Sequence, residues 1–246
     1  MKIFTLFLQL AKSLGTAAAE AAPNGLSMSN VTRLWEGPSL ATHAEKASAA
    51  LLSGHVIAVP TDTLYGIAAL AQNNTAIERI YEIKRRSSTK PLAICVSTVE
   101  DIYLWGKVTV PHSLLTSLLP GPVTLVFQRT KQLNLAFNPG TDLVGIRIPN
   151  EDFIRAVARC CSSPLALTSA NISSKASPVC VEEFSELWSK LHAVFDSGHL
   201  GEHLESREGS TIVDLSQPGT YRLIRRGIAY EQTSKILQSY DLCLTD

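Results

Sequence analysis

Residues 55–66 read HVIAVPTDTLYG, a short apolar run that ends at Pro60 and is followed by a polar turn. An apolar run of this length, bounded by turn residues, is typical of a buried strand. Similar runs with polar flanks recur in PLAICV (Pro91–Val96), VGIRIP (Val144–Pro149), LALTSAN (Leu165–Asn171) and GSTIVDL (Gly209–Leu215). Polar residues at strand ends are where ligands bind in α/β sheets.

Helices are predicted between these strands, because apolar residues recur there at helical spacing. The predicted faces are Leu40–Ala44–Ala47–Leu51, Ile77–Ile80–Tyr81–Lys84 and, in a longer helix, Phe184–Leu187–Trp188–Leu191–Phe195. A capping-box pattern of Ser97 with Glu100 predicts a further helix that ends near Gly106. The alternation of strands and helices predicts an α/β fold with a mixed sheet.

Composition describes an ordinary globular chain of 246 residues with formal net charge +0 and 45% apolar residues. This balance argues against a nucleic-acid binder that uses its whole surface. We expect a leader over residues 1–30, a single catalytic domain over 36–230 and a C-terminal tail over 231–246. The five cysteines form no CxxC pair, which favours free thiols in a reducing compartment.

The first residues, MKIFTLFLQLAKSLGTAAAEAA, combine a short apolar stretch with Lys2 and Lys12. The stretch is too short to span a membrane. It is compatible with a mitochondrial presequence, a secretory signal or a disordered leader. Because free cysteines weigh against secretion, we expect a cytoplasmic location, a mitochondrial location or both.

The most concentrated charge lies in KRRSSTKPL, which begins at Lys84. Cations at a helix end complement the helix dipole, and this structural role alone would explain Arg85. Lys84, however, shares the apolar helix face of Ile77 and Tyr81, so its ammonium needs an anionic or polar partner. A polyphosphate would use several of these cations together.

Arg147 is alone among apolar neighbours on its strand, where Gly145 leaves room beside it. It is interpreted either as a ligand of an anion or as half of a structural ion pair with Asp142 or Asp152. Hydroxyl and amide groups at Ser169, Asn171 and Ser210 are individually typical of turns and caps.

Other catalytic motifs are absent or broken. HLGEH (His199–His203) matches the inverted zincin pattern, but Gly198 and Gly201 would disrupt the helix that this motif needs. The chain has no GxxxxGK[ST] or GxGxxG loop, and no nucleophile elbow. We therefore expect no covalent nucleophile and no protein-built metal site.

Read in order, these turns resemble the YrdC-domain family, the threonylcarbamoyl-AMP synthases. The matching segments are PTDTLYG, the K-x-R of KRRSSTKPL, PGPVTLV, VGIRIP, TSANIS, GSTIVD and LIRRG. The resemblance implies a twisted mixed α/β sheet with a large, positively charged cavity. Cys95 departs from the family pattern, since a histidine is common there, and Arg226 replaces a common proline.

The resemblance also implies roles for individual residues. Thr61, Thr63 and Tyr65 would bind threonine, and Lys84 and Arg86 would hold ATP phosphates. The remaining implied ATP-binding residues are Thr124, Arg147, Ser169, Asn171, Ser210 and Arg225.

The implied nucleotidyltransferase reaction joins L-threonine, bicarbonate and ATP into threonylcarbamoyl-AMP and pyrophosphate. Mg²⁺ is expected on the ATP phosphates rather than in a protein cage. A downstream tRNA threonylcarbamoyl transferase would use the product, and this chain need not bind tRNA itself. The alternative hypothesis is an RNA-binding module that uses the same basic cavity.

Lys84→Ala is expected to lose most threonine-dependent ATP consumption while it keeps its fold. Full activity in this variant would instead return Lys84 to the role of a helix-end cation.

Overall fold

The computed structural model describes residues 30–87, 90–201 and 207–245, and these form a single mixed sheet flanked by helices. The strands are β1 Val31–Arg33, β2 Ile57–Val59, β3 Gly66–Leu70, β4 Ala93–Cys95, β5 Gly106–Lys107, β6 Val123–Arg129, β7 Leu143–Arg147, β8 Leu165–Ser169, β9 Ala193–Asp196, β10 Thr211–Asp214, β11 Thr220–Arg225 and β12 Cys243–Thr245. The helices are α1 Leu40–Leu52, α2 Asn74–Lys84, α3 Val99–Trp105, α4 His112–Leu118, α5 Asp152–Cys161 and α6 Tyr230–Ser239, with a 3₁₀ helix over Val181–Lys190.

The strand order is β1-β9-β2-β3-β8-β4-β7-β6-β10-β11-β12, and β5 pairs with β6 from outside this path. Parallel pairs such as β4–β7 and β6–β10 alternate with antiparallel pairs such as β3–β8 and β6–β7. The predicted mixed α/β architecture is therefore confirmed.

The two faces of the sheet are covered unequally. One face packs on α2, α3, α4, α6 and the 3₁₀ helix in the larger core. On the other face, α1 and α5 form a smaller core with residues of β2, β3, β4, β8 and β9. Among the described residues, this smaller core includes none from β6, β7 or β10. The sheet therefore extends beyond α1 and α5.

The C-terminal residues pack against the sheet rather than away from it. Leu237 of α6 is 1% exposed within the larger core, and β12 pairs in parallel with β11. The folded region thus continues past residue 230, where the sequence analysis placed the start of a tail.

Two local predictions differ from the structure. The predicted long helix through Phe195 is wrong, because the 3₁₀ helix ends at Lys190 and Phe195 lies in β9. The capping box that starts α3 uses Thr98 and Asp101 instead of Ser97 and Glu100, although the helix does end at Gly106. No helix in the described ranges is long and apolar enough to cross a membrane.

Gly227→Ala is expected to destabilise the fold by about 2–4 kcal/mol, because overpacking forces backbone shifts. A Cβ atom there would lie 2.4 Å from both the carbonyl carbon of Ser210 and the amide nitrogen of Thr211. Urea unfolding measures the loss. Gly219→Ala is the control: Gly219 has a positive φ, but its added Cβ would meet no atom within 4 Å among the described residues, its two chain neighbours aside. A loss at residue 227 no larger than at residue 219 would contradict the close approach.

Candidate functional site: a cavity on the open sheet face

A cavity of about 220 Å³ lies beside α1 and α5, where the sheet extends past them. It is bordered by nine of the eleven residues predicted to bind substrates. These nine are Thr61, Thr63, Tyr65, Arg86, Thr124, Arg147, Ser169, Ser210 and Arg225. A wider hollow of about 670 Å³ beside the β6–β7 connection is bordered by none of them.

Strand register brings the distant residues of the cavity together. Thr124 of β6 pairs with Ile212 of β10, and Ile212 pairs with Arg225 of β11. Leu125 pairs with Ile146, so the next residue pair along these antiparallel strands is Thr124 with Arg147. Since side chains of paired residues lie on the same face, these positions form one row across four strands. The row carries an arginine at each end.

The turn between β2 and β3 is organised by the Thr61 hydroxyl. This hydroxyl donates to the carbonyl oxygen of Leu64 at 2.7 Å and accepts from the amide nitrogen of Leu64 at 3.1 Å. It also lies 3.2 Å from the hydroxyl of Thr63. Both threonines are 3% exposed. The turn is thus held in shape at the cavity wall before any ligand binds.

Arg147 connects this turn to β7. Its Nη2 atom forms an ion pair with Asp62 and donates to the Thr63 hydroxyl at 2.9 Å. The second carboxylate oxygen of Asp62 accepts from the amide nitrogen of Asn150 at 2.9 Å. The ion pair that the sequence analysis considered with Asp142 or Asp152 is therefore made with Asp62. Among the described residues, the buried Nε atom of Arg147 has no hydrogen-bond partner, so the guanidinium has a donor that the folded chain leaves unused.

Gly145 faces the same side as Arg147, as predicted, but the space beside it is partly filled. A Cβ atom at Gly145 would lie 3.0 Å from the Thr124 methyl group. The glycine therefore allows β6 and β7 to place Thr124 beside the cavity.

Lys84 lies behind the cavity wall and does not border the cavity. It is 1% exposed. Its ammonium donates to the Ser169 carbonyl oxygen, to the Asn171 carbonyl oxygen at 2.8 Å and to the Asn171 side-chain oxygen at 3.3 Å. Burial, together with a smaller contribution from the nearby charge of Arg86, lowers the pKa of Lys84 to about 7. The helix phase correctly predicted an inward cation, but its partners here are the oxygens of the turn after β8.

Asn171, the other predicted residue that does not border the cavity, stabilises the same turn. Its side-chain oxygen accepts from the Ser169 hydroxyl at 2.5 Å, and its amide nitrogen donates to the Lys175 carbonyl oxygen at 2.6 Å. Lys84 and Asn171 together hold Ser169 at the cavity wall.

Two pairs of adjacent arginines, Arg85–Arg86 and Arg225–Arg226, each place one member at the cavity. Arg86 borders the cavity and donates to the Pro91 carbonyl oxygen at 2.9 Å, whereas Arg85 is exposed in a left-handed conformation at the end of α2. Arg225 donates to the Ser210 carbonyl oxygen at 2.7 Å, and Arg226 lies over the Tyr230 ring. Of each adjacent pair, Arg86 and Arg225 are therefore the cavity residues.

Tyr65 borders the cavity, but its hydroxyl is engaged elsewhere. The hydroxyl donates to the Gly198 carbonyl oxygen at 2.6 Å and accepts from the amide nitrogen of Ser197 at 2.9 Å. Burial raises the pKa of this phenol. The Tyr65 hydroxyl is therefore already bonded to the chain around residues 197–198, and the threonine-binding role of Tyr65 stays a prediction.

Cys95 does not border the cavity and packs in the smaller core. Burial raises the pKa of its thiol to about 12. It is therefore a packed thiol, and no polar group replaces the histidine common at this position.

No binding role was predicted for Asp62, Ser177 or Glu208, although Ser177 and Pro178 follow the TSANIS segment in the family resemblance. Ser177 and Glu208 border the cavity, and Asp62 pairs with Arg147. Asp62 lies inside the quoted TDT turn between two predicted ligands, and this position was the available signal. Glu208 immediately precedes the predicted GSTIVDL strand.

The cavity gathers three arginines, one glutamate and several hydroxyls, with no cysteine or histidine among the described residues that border it. Such a site suits a compact polyanion that reacts by positioning and charge neutralisation. The fold and site therefore define an α/β protein with an arginine-lined cavity whose chemistry suits an anionic ligand.

The family model described as "Telomere recombination" (Sua5_yciO_yrdC) matches residues 49–227, so the chain belongs to this family. The threonylcarbamoyl-AMP synthase of Bos taurus is 52% identical over 204 residues, which cover 82% of this chain and 74% of the relative. That of Homo sapiens is 52% identical over 200 residues, or 80% and 72%.

Among solved structures, P. abyssi Sua5 complexed with L-threonine superposes with a TM-score of 0.76 at 26% identity. The match covers 87% of this chain and 62% of that one. This chain thus spans less than two thirds of the archaeal protein.

Lys84→Met is expected to lower stability relative to wild type more at pH 9 than at pH 6.5. The folded pKa of Lys84, about 7, is below its unfolded value of 10.5. Between these values the unfolded chain binds more protons, so wild-type stability rises with pH, by at most about 1.4 kcal/mol per unit.

Urea unfolding of both proteins at several pH values isolates this residue, because other titrating groups cancel in the difference. A constant difference across this range would show that the turn oxygens keep the ammonium charged. Because truncation also strands these buried oxygens, we now expect Lys84→Ala to lose stability as well as activity.

Proposed function

We propose that this protein is a threonylcarbamoyl-AMP synthase. It joins L-threonine, bicarbonate and ATP into threonylcarbamoyl-adenylate and pyrophosphate for the threonylcarbamoyladenosine modification of tRNA. The observation that carries the proposal is the cavity itself, which collects nine predicted substrate-binding residues from four strands and three connecting segments. The 52% identity to synthases of the same name supports it.

The chemistry follows in two balanced steps. The threonine amine attacks bicarbonate to form a carbamate with loss of water. A carbamate oxygen then attacks the α-phosphorus of ATP, and pyrophosphate leaves with the electron pair of the broken P–O bond. No covalent bond to the protein is needed, which agrees with a cavity built from guanidinium and hydroxyl groups.

The residues divide by position. Arg86, Arg147 and Arg225 would neutralise the phosphates and the carbamate, since guanidinium groups bind such oxygens bidentately. Thr61, Thr63 and the turn that contains them would hold threonine. Lys84 and Asn171 would act through Ser169, because their side chains contact the turn rather than the cavity.

Magnesium fits this site as an ion carried mainly by ATP. Of the nearby carboxylates, Asp62 is engaged by Arg147, and Glu208 borders the cavity. No group of three or more metal-ligating side chains occurs in the part of the chain that the structure describes. The ion would neutralise phosphate charge, and Glu208 would be the cavity carboxylate available to it.

The cellular context is part of the same proposal. The product would be used by a tRNA threonylcarbamoyl transferase, without a need for this chain to bind tRNA. The leader composition and the free cysteines support a cytoplasmic location, a mitochondrial location or both. An RNA-binding module has less support, because the arginines converge on a cavity instead of spreading along a surface.

The direct assay measures pyrophosphate release from ATP in the presence and absence of threonine and of bicarbonate. Release should require both. Release that proceeds equally without threonine would reject the proposal.

Asp62→Asn is expected to lower kcat/KM by about tenfold to a hundredfold, since it leaves Arg147 buried without its counter-charge. Asp152→Asn is the control, because its ion pair with Arg155 has the carboxylate side chain 78% exposed. The same assay compares the two variants. Equal activities would show that the Asp62–Arg147 pair does not position the site.

A further inference from the structure

One side of the cavity is formed by two chain segments that are distant in sequence. Ser177 borders it from the segment 177–183, and Glu208, Gly209 and Ser210 border it from the segment 207–210. Both lie outside the strands of the sheet. No strand pairing therefore fixes their relative position.

A two-pronged ion pair joins these segments. The Nη2 atom of Arg207 lies 2.7 Å from Oε1 of Glu183, and Nη1 lies 3.0 Å from Oε2. Hydrogen bonding to Arg207 lowers the pKa of the Glu183 carboxyl group, so the pair is charged at neutral pH. The two side chains are 27% and 33% exposed, which leaves the pair partly shielded from water.

Each partner also contacts the backbone of the cavity wall. Nη1 of Arg207 donates to the carbonyl oxygen of Ser177 at 2.8 Å, and Oε2 of Glu183 accepts from the amide nitrogen of Val179 at 2.9 Å. The pair thus holds the backbone at Ser177 and Val179 in the segment 177–183. It also anchors the segment 207–210 at Arg207, directly before the residues that border the cavity.

The same two segments are also hydrogen-bonded elsewhere, one to the turn between β2 and β3 and the other to the sheet. The amide nitrogen of Tyr65 donates to the Pro178 carbonyl oxygen at 3.0 Å. Ser210 is bonded to Arg225 through its carbonyl oxygen and lies 2.9 Å from the Thr124 hydroxyl. Glu183 and Arg207 therefore complete a ring of contacts around the cavity.

We propose that Glu183 and Arg207 are positioning residues that hold this ring closed around ATP and threonine. The inference rests on the proposed function for the identity of those substrates. The ring would stabilise the bound substrates and the transition state equally. Its loss therefore weakens substrate binding without changing the barrier between the two. KM then rises for ATP and for threonine, while kcat changes little.

Glu183→Gln, Arg207→Met and the double variant test the proposal in the pyrophosphate assay. Each single substitution should raise both KM values by about fivefold, the size expected for a well-oriented, partly shielded pair. The double variant should be no worse than either single variant, since partners in one interaction are not additive. Thermal unfolding checks that all three remain folded.

A matched control lies on the same 3₁₀ helix. Glu186 pairs with Lys175 at 2.7 Å, and their side chains are 45% and 57% exposed. Glu186→Gln removes an ion pair of similar length that contacts no backbone of the segment 207–210. It should leave both KM values unchanged.

Two measurements that do not depend on turnover separate this proposal from the proposed function. Hydrogen exchange should quicken in residues 177–183 and 207–210 of Glu183→Gln but not in Glu186→Gln, and calorimetry should show weaker ATP binding. If wild type releases no pyrophosphate with threonine, the proposed function fails, and these two measurements decide the role of the pair. The proposed role of the pair would be overturned if Glu183→Gln and Glu186→Gln had equal hydrogen-exchange rates and equal ATP affinities. Additive effects on KM in the double variant would overturn it as well.

Discussion

The buried ion pair between Arg147 and Asp62 is the contact on which the cavity depends. Arg147 comes from the end of β7, and Asp62 comes from the turn after β2. Asp62 also accepts the Asn150 amide, so the turn is joined to the chain that follows β7. A buried charge needs a partner, and this requirement brings the two elements together. The Thr61–Thr63 turn and the row of Arg147, Thr124 and Arg225 then face one space.

A second polar cluster supports the same wall from behind. The Lys84 ammonium holds the turn after β8 by three oxygens instead of reaching the cavity. A cation surrounded by backbone oxygens can shape an anion site without touching the anion. The KRRSSTK cluster is therefore divided by the fold: Lys84 supports the wall, Arg86 borders the cavity and Arg85 faces solvent.

Much of the fold was predictable from local pattern, because buried strands and helices have distinct periods. HVIAVP, PLAICV, VGIRIP and LALTSAN each contain a strand of the structure. The predicted helix from Phe184 to Phe195 is wrong in its extent. Leu187, Trp188 and Leu191 fit helical spacing whether or not the chain continues as a helix to Phe195. Tertiary packing ends the helix at Lys190 and places Phe195 in β9 beside Phe153.

The sequence by itself determined the α/β class and the inward direction of Lys84, which follow from hydrophobic period and helix phase. The resemblance to the YrdC-domain family supplied the substrate-binding residues, nine of which border the cavity. Only the tertiary structure decided that Asp62 neutralises Arg147, that Arg225 rather than Arg226 borders the cavity, and that Glu183 meets Arg207. The two ion pairs join residues that are far apart in sequence, and the tertiary fold decides which residues come within contact distance.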